Sequence, residues 1–214
     1  MSKLSGWGVP AGLVLLSVVP ILAGSVRMAQ IASGVMTPEN ARWLNSPVPG
    51  VLHIVAVTLF SLLGALQFAP RLRRGFPRWH RRAGRVAVPA GLVAALTGLW
   101  MDQVYALPPT DGVVLYVTRL VVGVWMVLAL CRGYLAIRQR DFGSHQDWML
   151  RGYAIGMGAG TQVLTSVPYF IAVGQPDTSA RAVLMGLGWA INFAVAELLI
   201  YRRHRLTVLS ARAV

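Results

Sequence analysis

Six long apolar stretches, beginning near Val9, Val51, Val86, Val113, Met149 and Ala182, account for most of the chain. A helix of about 20 apolar residues crosses a hydrocarbon core about 30 Å thick. Six such crossings leave only loops, and no length for a separate soluble domain. Composition agrees, with 56% of residues hydrophobic, 13% charged and a mean hydropathy of +0.59. The expectation is a single membrane domain over 1–214, an all-α polytopic bundle of six transmembrane helices over roughly 9–27, 51–70, 86–103, 113–136, 149–173 and 182–201. The pairs Pro47/Pro49 and Pro108/Pro109 read as loops, not domain boundaries.

The arginines orient the bundle. Nineteen of the twenty basic residues are arginine, and the segment 71–85 holds seven of them. Arg132, Arg138, Arg140 and Arg151 bracket a second loop, and Arg202, Arg203, Arg205 and Arg212 follow the last stretch. Short translocated loops are poor in Lys and Arg, so these three regions belong on the cytoplasmic side. Arg27, Arg42 and Arg181 fall on the other side with Glu39, Asp111 and Asp177. Six crossings then place both termini in the cytoplasm of a bacterial inner membrane. The formal charge of +13 is read as a topology signal and as attraction to anionic lipid headgroups. A nucleic-acid partner is rejected, because the arginines are divided among loops beside membrane stretches. Lys3 and the run Leu13 to Leu22 imitate a secretory signal. Pro20 interrupts that run, and only retention of the helix leaves the arginine-rich loops together. Cys131 is the only cysteine, which excludes an internal disulfide and a cysteine-based metal site.

Two weak echoes run through the chain. Val9-Pro-Ala-Gly-Leu-Val14 repeats as Val88-Pro-Ala-Gly-Leu-Val93, and His80 precedes Arg85 much as His145 precedes Arg151. Leu63-Gly-Ala-Leu-Gln-Phe68, Pro70-Arg-Leu-Arg-Arg74, His80-Arg-Arg-Ala-Gly-Arg85 and His145-Gln-Asp-Trp-Met-Leu-Arg-Gly-Tyr-Ala154 carry more. Together with His53 and Thr97-Gly-Leu-Trp-Met101, these strings resemble the signature of an uncharacterised bacterial family of predicted multi-pass membrane proteins, a domain of unknown function, over roughly residues 50–200. The resemblance implies a multi-pass membrane protein and no particular activity.

The polar residues inside the apolar stretches sort by helical face. At 100° per residue, His53, Phe60, Gly64, Gln67 and Arg71 fall within about 60° of one line, a face expected to point inward. Gly152, Gly156 and Gly160 form a small-xxx-small seam that lets helix backbones approach, within the bundle or in a homo-oligomer. Arg119 lies well inside the fourth stretch, where an unpaired charge costs about 2.5 to 3.5 kcal/mol. Asp102 is its expected partner and His53 a second, giving an outer cluster of His53, Asp102 and Arg119. Asn192 and Glu197 lie in the sixth stretch, with Arg151 or an arginine of 71–85 to neutralise the acid. Gln67, His80, His145, Arg151 and Glu197 form an expected inner cluster.

A purely structural reading of these clusters stands beside two functional ones. The favoured functional reading is cofactor or redox work, with His80 and His145 ligating haem iron or a metal through neutral imidazoles and Arg151 beside them. The competing one is a transporter or permease whose interior polar path runs along Gln67, Gln162, Thr165, Asn192 and Glu197. No metal site is assigned outside the histidine pair. No catalytic residue is assigned, since no nucleophile elbow, HExxH or Walker motif is present and Gly156-Met-Gly-Ala-Gly160 lies inside a membrane stretch.

Overall fold

The computed structural model describes residues 6–212, so Lys3 lies outside the described residues. All regular structure among them is helical: α1 Gly8–Ser33, α2 Ala41–Asn45, α3 Pro47–Gln67, α4 Pro70–Gly75, α5 Pro77–Val104, α6 Val113–Arg138, α7 Phe142–Gly156, α8 Gly158–Val173 and α9 Thr178–Arg212. Prolines start three of them. Pro47, Pro70 and Pro77 stand in the first turns of α3, α4 and α5, where the missing N–H removes a donor that would have no helical partner anyway. Gly34 closes α1 at φ 67° and Gly174 closes α8 at φ 100°, left-handed conformations that a side chain disfavours. Asp141 caps α7, its carboxylate accepting from the Ser144 N–H at 2.9 Å. That bond, formed outside the apolar stretches, holds the Asp141 carboxyl below its ordinary range.

Five helices are long and apolar enough to cross a membrane: α1, α3, α5, α6 and α9 over Thr178–Leu206. The stretch expected as one helix over 149–173 is instead two, beginning earlier at Phe142 and interrupted at Met157, where ψ is 0°. The sequence Gly156-Met-Gly158 accounts for the break, since glycine on both sides weakens the helix and supplies no packing to hold it straight. At 15 and 16 residues, α7 and α8 are each short of the length a crossing needs. The helix expected over 86–103 begins at Pro77, which carries His80 and four arginines onto the first turns of α5.

The packing inverts the pattern of a soluble domain. Small residues lie inside, with Ala83, Ala87, Ala90, Gly91, Ala94 and Ala95 of α5 all buried, while large apolar side chains such as Leu15, Val121, Leu164 and Ile171 point outward. Small interior residues let helices approach closely in lipid, and an apolar exterior suits hydrocarbon contact. α3 packs on α5, α6 on α7 and α8 on α9, with α1 against α3 and α8. The core gathers Phe60, Met126, Leu130, Tyr153 and Met157. Phe60 is gripped between two glycines: a Cβ on Gly91 would lie 2.6 Å from its ring, and one on Gly156 2.5 Å. The Tyr153 hydroxyl donates to the Ser61 carbonyl at 2.8 Å, tying α7 to α3.

Candidate functional site

His80 on the first turn of α5 and His145 on the first turn of α7 stand at the same arginine-rich end, and α5 packs against α7. His145 Nδ1 lies 2.8 Å from the Gly133 carbonyl of α6. A helical carbonyl only accepts, so in the neutral imidazole the proton resides on Nδ1 and Nε2 keeps its lone pair. The Nδ1 of His80 is buried and has no hydrogen-bond partner among the described residues. One turn further along α5, a Cβ on Gly84 would meet only Gln67 Oε1, at 3.7 Å, which leaves room beside the pair. Gln67 itself reaches only the Leu63 carbonyl of its own helix, at 3.5 Å.

Arg151, expected beside the histidines, is committed to α9. Its Nε and Nη2 donate to the two Glu197 carboxylate oxygens at 2.6 and 2.9 Å, a bidentate fork. Trp148 lies beneath two guanidinium groups, Arg132 at 5.0 Å and Arg151 at 4.8 Å from its ring centre. Asp147 is buried and holds both Arg203 and His204, so the start of α7 is pinned to the end of α9. Sequence reasoning missed His204 here, because its partner is distant in the chain and its own segment reads as an arginine-rich tail.

At the opposite end Arg119 finds two acids. Its Nη2 donates to Asp111 at 2.7 Å, and Nη1 lies 3.6 Å from Asp102. Arg181, at the start of α9, bonds the other oxygen of the same Asp111. The expected pairing with Asp102 is thus the looser of two, and Asp111, read only as a loop acid, is the centre of the cluster. The Asp111 N–H bonds to the Pro108 carbonyl at 2.8 Å, a turn that folds the carboxylate back beneath α6. Burial works against ionisation of Asp111, but hydrogen bonds from Arg181 and Arg119 outweigh it and hold the carboxyl below its ordinary value. His53 is not a partner of Arg119. Its Nδ1 donates to the Ala94 carbonyl at 2.9 Å and reaches Thr97 Oγ1 at 3.1 Å, joining α3 to α5.

Of the residues expected along a polar path, all but Gln67 join neighbouring helices, Glu197 through Arg151. Gln162 donates to the Met185 carbonyl at 3.1 Å and Thr165 to the Leu184 carbonyl at 2.9 Å. Asn192 accepts from Thr161 at 2.7 Å and donates to the Ala154 carbonyl at 3.0 Å. The glycine seam is occupied within the chain: Gly152 faces Leu130, Gly156 faces Phe60 and Gly160 faces Leu16.

An all-α bundle of long apolar helices, with large apolar side chains outside and small residues within, defines a membrane protein with several apolar helices. The chain belongs to the family described as predicted membrane protein (DUF2306), whose model matches residues 50–200. No curated protein and no solved structure matches it.

Proposed function

We propose that the protein is a six-crossing haem-binding protein of a bacterial inner membrane, a single membrane domain with both termini cytoplasmic, in which His80 and His145 would hold the iron. α7 and α8 together form the fifth crossing. In support of that count, Asp147 at the start of α7 meets the end of α9, whereas the start of α9 meets Asp111 at the opposite end. The observation that carries the cofactor reading is the bond from His145 Nδ1 to the Gly133 carbonyl. It fixes the tautomer and orientation of an imidazole whose Nε2 can then serve as a donor, the arrangement usual for metal-ligating histidines.

The donor set selects the kind of group. Two imidazoles supply two ligands, whereas a protein-held divalent ion of the zinc type takes four. The pair suits an iron whose other four donors come from a macrocycle, and that group would supply one-electron redox chemistry. The opening beside Gly84 and the unpartnered His80 Nδ1 fit such an occupant. Arg73 and Arg81, the arginines that act on His80, favour the negative charge of carboxylate substituents. A transport path has less support, since Gln162, Thr165 and Asn192 already hydrogen-bond to neighbouring helices.

An absorption spectrum of protein purified from cells grown with ample haem is the test. An intense Soret band that sharpens on reduction is expected, abolished by His80→Ala or His145→Ala and retained in His53→Ala. A colourless wild-type protein overturns the reading.

A further inference from the structure

The elbow formed by α4 and the start of α5 differs from every other basic region of the molecule. Seven arginines lie between Arg71 and Arg85, and no acidic residue occurs between Glu39 and Asp102. All seven are exposed, and none is ion-paired among the described residues. Elsewhere at the same end the charges are fewer and several have protein partners: Arg132 over Trp148, Arg138 over Tyr134, Arg151 on Glu197, Arg203 on Asp147. A group of unneutralised guanidinium groups on a short helix and the first turns of the next repels itself. It therefore calls for an anion from outside the chain.

The position and shape of the elbow say what kind. It lies between the end of the apolar helix α3 at Gln67 and the apolar part of α5 beyond Arg85, which is headgroup depth in a bilayer. An open cleft of about 460 Å³ lies there, lined by Gly75, Phe76, Pro77, Arg78, Trp79 and Arg82. Arg78 and Arg82 are one turn apart on a single face, and guanidinium forks match phosphate oxygens. Trp79 supplies an amphipathic ring of the kind that settles at the membrane interface, and Phe76 an apolar ring beside it.

We propose that this elbow is a binding site for an anionic phospholipid, with Arg78 and Arg82 on the headgroup phosphate and Phe76 and Trp79 against its glycerol–acyl boundary. The site uses residues separate from the histidine pair and stands whether or not the protein binds haem.

The test titrates delipidated, detergent-purified protein with phosphatidylglycerol, phosphatidylcholine or inorganic phosphate and reads the thermal unfolding midpoint. Phosphatidylglycerol should raise it saturably, and the other two should not at the same concentration. Each lost guanidinium should weaken the apparent affinity about 5-fold, so Arg78→Gln with Arg82→Gln should weaken it about 25-fold. Arg202→Gln with Arg205→Gln, which removes the same charge elsewhere at that end, should leave it unchanged. Equal loss in the two double variants would mean nonspecific surface charge, and an equal response to inorganic phosphate would mean a free-anion site; either overturns the proposal. If the Arg78/Arg82 variant fails to fold, Arg82→Gln alone, read by the number of phosphatidylglycerol molecules retained in native mass spectrometry, decides the matter.

Discussion

Arg119 carries a full charge two turns into α6, and how it is neutralised decides how much the opposite end of the bundle contributes to stability. Its side chain is 18% exposed and that of Asp111 2%, so the pair is largely removed from water, and deleting one member leaves the other buried without compensation. Asp111→Asn should cost about 3 kcal/mol and loosen Arg181 as well, because one carboxylate serves both arginines. Asp102→Asn, which removes only the 3.6 Å contact, should cost under about 1 kcal/mol. Thermal unfolding in detergent measures both, and a larger loss from Asp102→Asn would reverse the assignment. The pH dependence follows from the same carboxyl. Its folded pKa is below the ordinary value of 3.8, so its contribution is fully present above that value and is lost as the pH falls through the folded pKa. The gap in midpoint between wild type and Asp111→Asn should therefore close below about pH 4 and persist at pH 7. That Arg119 needs an acid was legible from its depth in an apolar stretch. Which acid was not, because the choice depends on the Pro108–Asp111 turn, a backbone feature with no periodic signal.

At the scale of elements, α7 and α8 show what a glycine pattern does and does not reveal. The spacing of Gly152, Gly156 and Gly160 correctly marks close approach, but it implies one partner along one straight face. The helix breaks at Met157, and the three glycines then meet α6, α3 and α1 in turn. Gly158, off the seam by spacing, is covered by the Trp189 ring, into which a Cβ would run. Gly156→Leu and Gly158→Leu should therefore both destabilise strongly, each by about 1–3 kcal/mol or more of overpacking. Gly186→Leu on α9, with nothing within 4 Å of its Cβ, should express and unfold like wild type. Yield of monodisperse protein together with the unfolding midpoint separates the cases, and tolerance at Gly158 would show that Trp189 yields. Of the stripe expected to point inward from helical angle, Phe60 and Gly64 are buried and His53 meets α5, whereas Arg71 lies beyond the end of α3, on α4, and is exposed. The polar residues of α8 and α9 were readable as interior groups but not as cross-links, because bonding to a neighbour's carbonyls leaves no mark on the neighbour's sequence.

The whole molecule turns on how many times the chain crosses and which end faces the cytoplasm. Apolar length alone yields five spans, since the Met157 break divides the remaining stretch into two pieces too short to cross separately. The ion pairs favour the proposed sixth crossing. Asp147 holds Arg203 and His204 at the arginine-rich end, and Asp111 holds Arg181 at the other, so the two ends of α9 are tied to opposite ends of the bundle, as expected if α7 and α8 together return across it. The proposed topology is tested by single cysteines placed in a Cys131→Ser background, which removes the one native thiol. Gly75→Cys, Thr110→Cys and Gln175→Cys all stand at exposed positions, and Gly75 has open space at its Cβ. With a membrane-impermeant maleimide, Thr110→Cys and Gln175→Cys should label in intact cells, and Gly75→Cys only after permeabilisation, because arginine-rich loops stay on the cytoplasmic side. Labelling of Gly75→Cys alone would reverse the orientation while preserving the count. Gln175→Cys sorting with Gly75→Cys would mean that α7 and α8 dip and return on one side. That outcome would also require the Asp111–Arg181 pair to be broken in the membrane, so Asp111→Asn would then leave the unfolding midpoint unchanged.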